Sequence, residues 1–244
     1  VFSLLKRTTD PTTIYKKQKM DRDDVLDITD FDVIAWLKTE MRMMLEEECA
    51  RAILTGDGRL SSSDDKIAED HVRPVWKDSD LFTIKVPVTV AQSASDSDRA
   101  KATIRAIIKS RKNYRGSGDP TFYTTEDVVT DMLLIEDTTG RVIYDTMDKL
   151  RTVLRVKEIV TVPPMEGLSR EVNNGGKVEM HNLLGLIVNL NDYNVGADNG
   201  GSMRMFDGFD IDFNAMKYLI ETRFSGALIK PYSAMAIESV EAAG

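Results

Sequence analysis

The chain has 244 residues, 42% of them hydrophobic and 30% charged, with a formal net charge of −8. Those proportions suit a soluble globular protein with a large core, built as one big domain or two closely joined ones. No apolar run reaches the roughly 18 residues of a membrane-spanning helix, and the acidic balance argues against a protein dedicated to coating DNA.

Residues 12–29 have strand propensity but no clean alternation. Thr12, Thr13, Ile14, Tyr15, Val25 and Ile28 bracket a polar middle from Lys16 to Asp24. With no face destined for a core, residues 1–29 are expected to form an arm that projects from the globular body. Its charge is split. Lys6, Arg7, Lys16, Lys17, Lys19 and Arg22 outweigh Asp10 and Asp21 over residues 1–22, whereas 23–32 carry five aspartates and no base. Such an arm can pair with a copy of itself or simply lie in solvent.

A long amphipathic helix follows, from about Asp30 to Thr55. Thr29 and Asp30 are good capping residues, and Asp32 adds negative charge in the first turn. Ile34, Leu37, Met41, Met44, Leu45, Cys49, Ala52 and Ile53 recur at helical spacing as one buried stripe. Measured from Phe31 to Thr55 it would span roughly 37 Å. Gly56 suits the left-handed position that ends a helix. Met41, Met43 and Met44 read either as core filling or as an adaptable contact surface. Cys49 is the only cysteine, which excludes an intrachain disulfide and suits a reducing compartment.

Further along, Leu81 to Val90 reads as a strand with Pro74 and Pro87 marking ends or edges. A second helix is expected over Ser95 to Arg115, capped by Asp96 or Ser97. Ala100, Ile104, Ile107, Ile108 and Arg111 lie on one face of it, and Arg99, Lys101, Arg105, Lys109 and Lys112 on the other. That basic face fits a solvated surface, an acidic neighbour or nucleic acid. Thr124, Thr125, Glu126 and Asp127 open a third helix in the manner of a capping box. A short fourth helix is expected over Asp145 to Leu154. Extended segments then dominate: Lys157 to Val162, Leu183 to Leu190, Ser202 to Phe206, Tyr218 to Phe224 and Ala234 to Ile237. Asn- and Gly-rich loops at 173–176 and 194–201 separate them. The class is α+β, with helices early and mostly antiparallel strands late.

Catalytic and metal signatures are weak. His71 and His181 are the only histidines, and neither has a cysteine or second histidine at ligand spacing. The GDG at 56–58 and FDGFDID at 206–212 suggest calcium loops but lack the bidentate Glu at the twelfth position. No residues supply a nucleophile, base and oxyanion donors together. The chain is therefore read as a non-enzyme without cofactor or metal.

The order of parts resembles the major capsid protein of tailed bacteriophages, whose fold encapsulins share. The resemblance rests on TIYKKQKMDRDDVLDITDFDVIAWLKTEMRMMLEEECARAILTGDGR, then YNVGADNGGSMRMFDGFDID and KYLIETRFSGALIKPYSAMAIE. It implies a partial extended loop over 1–29, a peripheral domain with a spine helix over 30–92 and an axial domain over 93–200. Peripheral return strands over 201–228 and a terminal axial strand over 229–244 complete it. It further implies a structural shell protein whose hexamers and pentamers enclose double-stranded DNA non-specifically. A scaffolding segment, a maturation protease and a portal would be partners, the virion capsid the destination and the bacterial cytoplasm the place of assembly. The start at Val1 fits either a scaffolding segment cut away before it or disordered residues left out. Arm residues Tyr15, Lys16, Lys17, Lys19, Arg22, Asp23 and Asp24 would make intersubunit contacts, and a crosslink of the kind some family members form would join Lys16, Lys17 or Lys19 to Asn214 with assistance from Glu221. The alternatives are an encapsulin-type compartment and a soluble phosphate- or nucleotide-binding enzyme using the Gly-rich loops.

Overall fold

The computed structural model describes residues 6–23, 32–91 and 93–241. The chain divides into two compact units, residues 1–74 with 194–227 and residues 75–193 with 228–244. Its class is α+β, as the sequence predicts.

The first unit is organised by helix α1, Val33–Leu54. Asp32, expected inside the first turn, is itself the cap: its Oδ1 accepts the Ala35 N–H at 3.0 Å. Its short carboxylate reaches one of the amides that the helix start leaves free. Thr29 and Asp30 lie outside the described residues. Val33, Leu37, Met41, Leu45 and Ala52 are buried. Met44, expected on this stripe, is exposed like Met43, because one position of offset turns a side chain about 100° around the helix. Only Met41 of the three methionines fills the core. Gly56 takes the left-handed conformation, with φ 91°, as its position predicts.

Beyond that glycine a buried carboxylate shapes the loop. Asp57 Oδ2 accepts the Ile67 N–H at 2.7 Å, and Oδ1 accepts Lys66 Nζ at 2.9 Å and the Arg59 N–H at 3.2 Å. Its lone pairs are occupied by N–H donors, so the GDG motif is a turn anchor and not a calcium loop.

The first unit's sheet is built around β9 (Ala215–Leu228), whose last residue passes into the second unit. Strand β1 (Thr12–Asp21) pairs antiparallel along it without interruption, from Thr12 opposite Phe224 to Asp21 opposite Ala215. Strands β7 (Tyr193–Ala197) and β8 (Arg204–Asp210) also pair with β9. Ile14, Tyr218, Ile220 and Phe224 pack with Leu37, Met41, Leu45 and Ala52 of α1. Thr12–Asp21, the middle of the segment expected to project as an arm, is thus bonded to a sheet, while residues 1–5 and 24–29 of that segment lie outside the described residues. Backbone hydrogen bonding does not require apolar side chains, and Ile14 supplies one anchor.

In the second unit, six strands follow the order β2-β10-β6-β3-β4, with β5 also on β6. Here β2 is Thr83–Val90, β3 Thr121–Thr124, β4 Ile159–Thr161, β5 Ser169–Asn174, β6 Lys177–Val188 and β10 Ala234–Glu241. The sequence reading carries the first domain to residue 92 and the next to 200. Strand β2, however, is bonded in parallel to β10, which draws 75–92 into the second unit. Strands β3 and β4 are also parallel, while β6 pairs antiparallel with β10, β3 and β5, so that the strands are mostly antiparallel, as expected. Pro87 sits on β2, at the end of the strand order, where a missing N–H is tolerated. Strands β3, β5 and β7 escaped the sequence reading.

Three helices cover this sheet's core: α2 (Asp96–Ser110), α3 (Glu126–Leu133) and α4 (Met147–Leu154). Ser95, not Asp96 or Ser97, caps α2, accepting the Asp98 N–H at 3.2 Å. The capping box expected at α3 does not form: Thr124 ends β3, and Thr125 caps without a side-chain hydrogen bond. Ile104 and Ile107 pack with Val86, Phe122, Leu150, Ile187 and Ile237, while Ile108 is partly exposed. Gly185 is required by close packing, since a Cβ there would stand 2.5 Å from the Phe122 ring and 2.8 Å from the Tyr123 carbonyl.

Candidate assembly surface

Pairing across the first unit's sheet fixes which residues share a face. Residues directly opposite one another in an antiparallel ladder point the same way. Tyr15, Glu221 and Arg204 align, as do Lys17, Leu219 and Phe206. Lys19 and Lys217 follow opposite Gly208. This row lies on the face away from Ile14, Ile220 and Tyr218, and therefore away from α1. Tyr15 is 48% exposed and Phe206 50%. Lysines frame them: Lys17 Nζ stands 4.9 Å from the Tyr15 ring centroid.

The turn joining β8 to β9 extends the exposed apolar surface, with Ile211 and Phe213 open to solvent. Lys19 Nζ lies 4.1 Å from the Phe213 ring, and Lys217 Nζ 2.5 Å from Asp210 Oδ2. That ion pair and its hydrogen bond hold the Asp210 carboxyl below the usual carboxylate range against the opposing effect of burial. Cationic and aromatic side chains thus alternate over an open, slightly hollowed face. An exposed apolar patch rimmed by charge is the usual mark of a protein contact surface.

A second exposed patch lies on α1. Trp36 and Met43 fall on one helical face with Glu40 and Glu47, and Met44 lies beside them. The sheet face is rich in lysine and arginine. The helix face carries glutamate.

The structure places the sequence-derived residues unevenly. Tyr15, Lys17 and Lys19 share the outer face of β1; Lys16, opposite Ile220, is half-buried on the inner side. Arg22 and Asp23 are exposed beyond the strand end, where the Arg22 N–H donates to the Asn214 carbonyl at 3.2 Å. Asp24 lies outside the described residues. Lys16, Asn214 and Glu221 are not brought together within one subunit. Lys16 pairs six residues along β9 from Asn214, a separation of about 20 Å at strand rise. Glu221 points to the opposite face, beside Tyr15 and Arg204. Phe206, Leu219, Phe213 and Lys217 were missed in sequence. Their signal was the alternation in β8 and β9 once the two strands are paired.

A second cluster is internal to the second unit. The wholly buried Glu238 carboxylate accepts Trp76 Nε1 at 2.7 Å, Arg170 Nε at 2.7 Å, Arg170 Nη2 at 2.8 Å and His181 Nδ1 at 2.9 Å. Burial would raise its pKa. The hydrogen bonds from Arg170, His181 and Trp76 outweigh that and hold it below the ordinary value. The register of the β10–β6 ladder shifts between Ile237 and Glu238, which pair with Gly185 and Leu183. Lys85 donates to the Trp76 carbonyl. Burial first, and then the Arg170 charge, push its ammonium down to about 8. With every carboxylate oxygen engaged, the cluster ties strands together. Among the described residues no group of three or more metal-ligating side chains assembles.

No protein-family model and no curated protein sequence matches the chain. Solved structures do. The capsid of a native GTA particle aligns with a TM-score of 0.61 at 11% identity, covering 95% of this chain and 73% of that one. Gordonia phage Cozz aligns at 0.60 with 13% identity, covering 100% and 78%. Mycobacterium phage Adephagia aligns at 0.60 with 9% identity, covering 96% and 73%. At such identities the likeness is one of fold, and the chain has the fold of these capsid and phage structures across nearly its whole length.

Proposed function

We propose that this chain is a structural major capsid protein that assembles with copies of itself into a closed icosahedral head around double-stranded DNA. The observation that carries the reading is the capsid fold extending over 95% of the chain. The surfaces of the first unit support it. A basic, aromatic sheet face and an acidic, apolar helix face are two different patches of opposite sign on one subunit. Contacts between unlike patches are heterologous and generate rings, which suits hexamers and pentamers. The first unit then corresponds to the peripheral domain and the second to the axial domain. Tyr15, Lys17, Lys19, Arg22 and Asp23 make intersubunit contacts, and any Lys16–Asn214 crosslink joins different subunits. No catalytic step is assigned. A scaffold, maturation protease and portal complete the set of partners, and the virion capsid is the protein's place.

Sedimentation velocity over a hundredfold range of protein concentration tests this. The expected result is a small subunit species giving way to large, uniform particles. A monomer at every concentration contradicts it.

A further inference from the structure

We infer that the exposed face of α2 and the turn after it is a sequence-independent binding site for the phosphate backbone of nucleic acid. Between Arg99 and Gly118 the chain carries seven basic residues and no acidic one, within a protein of net charge −8. Lys101, Arg105 and Lys109 lie at four-residue intervals on the solvent side of α2, and Lys112 continues the row in the short 3-10 turn Arg111–Asn113. The four fall within about 40° of one line along the helix and span roughly 16 Å. Among the described residues no ion pair or side-chain hydrogen bond engages any of them. The nearby carboxylates lie toward the row's ends: Asp96 and Asp98 in the first turn of α2, Asp131 beside Asp96, and Asp119 near Arg111. Arg111 itself turns away, donating to the Arg155 carbonyl at 3.0 Å and stacking on Tyr114.

The row's composition favours a polyanion over a protein. A protein contact needs an apolar centre that excludes water, and this face offers only Ile108, 39% exposed. Cations about 4.5–6 Å apart along one side of a helix instead present a continuous row of positive charge to a chain of phosphates. With four phosphates neutralised, the logarithm of the binding constant should fall with the logarithm of salt with a slope near −3.6. From 50 to 200 mM salt that is a loss of about a hundredfold. The inference rests on the row alone and holds for the unassembled subunit, so its failure is distinct from failure of the shell reading.

The test measures binding of the soluble subunit to fluorescent duplex DNA of random sequence at salt concentrations from 25 to 200 mM. One variant carries Lys101→Gln, Arg105→Gln, Lys109→Gln and Lys112→Gln. A control of equal charge change carries Lys6→Gln, Arg42→Gln, Arg141→Gln and Lys177→Gln. Unfolding curves confirm that both fold. The expected result is weak binding at 25 mM with a slope between −3 and −4, lost at least tenfold in the row variant and kept within threefold in the control. No binding by the parent at 25 mM overturns the inference, as does equal loss in both variants. Binding to a poly-glutamate peptide of equal charge as tight as to the duplex also overturns it and assigns the row to an acidic protein.

Discussion

Arg170 holds Glu238 in a two-pronged ion pair, Nε to Oε1 at 2.7 Å and Nη2 to Oε2 at 2.8 Å, joining β5 to β10 through a carboxylate with no solvent exposure. The two residues are 68 positions apart, and β6 lies between their strands. Trp76 and His181 complete the shell around the carboxylate. Breaking such a pair on one side leaves a cation without its partner, which costs more than the pair itself contributes. Glu238→Ala should lower the stability of the subunit by about 3–5 kcal/mol, read from denaturant midpoints. A midpoint equal to that of the parent would mean that the cluster is not a structural tie.

The same carboxylate, with Asp57, sets a pH dependence. Both are held below their ordinary values of 4.5 and 3.8. For Asp57, burial works against this, and the hydrogen bonds from Lys66, Ile67 and Arg59 overcome it. A depressed carboxyl contributes stability that is fully present above its unfolded pKa and is lost as pH falls through its folded one. Thermal midpoints should therefore fall as pH drops below about 4.5, and Asp57→Asn should fall less steeply than the parent. Equal slopes in the two proteins would remove Asp57 from the account.

Adjacent positions on α1 should differ sharply. Leu45 is 1% exposed and Met44 is 44% exposed. Leu45→Asp places an unpaired charge against Tyr218 and Ile220 and should cost about 4 kcal/mol or more, whereas Met44→Asp should cost less than about 0.5. Similar losses in both would show that the helix's buried face is misassigned.

That helix was the most legible part of the chain, because one apolar residue per turn over six turns has no other easy reading. Strands β5 and β7 were not legible. SREVNN and YNVGA are short and polar, and they become strands only through partners on β6 and β9. The pairing of β1 was hidden for a related reason: its ladder is made by backbone groups, and its outer side chains stay in solvent. The polar middle of β1 was legible as a whole, but not its division into an outer face at 15, 17 and 19 and an inner one at 16, nor its aromatic neighbour on β8, since register is a long-range property. The Glu238 cluster draws on residues 76, 85, 170, 181 and 238, which share no spacing. The one hint was an acid inside the apolar run AMAIESV.

Charge on β1 should matter more for assembly than for folding. Lys17 and Lys19 are exposed, and Lys16 is half-buried at the strand's inner side. Each solvent-exposed ion pair contributes only about 0.2–1 kcal/mol, but a closed lattice repeats it many times. Replacing Lys16, Lys17 and Lys19 with Glu should suppress particles while the thermal midpoint of the soluble subunit moves by only a few degrees. Particles in normal yield, or a subunit that no longer folds, would give these lysines another role.

The central claim is that this subunit builds a closed shell, and electron microscopy of the expressed protein under assembly conditions tests it most directly. The account predicts uniform icosahedral particles in whose reconstruction the Tyr15, Lys17 and Lys19 face of each subunit lies against a neighbour. Isolated subunits under all conditions, or particles in which that face remains bare, would contradict it.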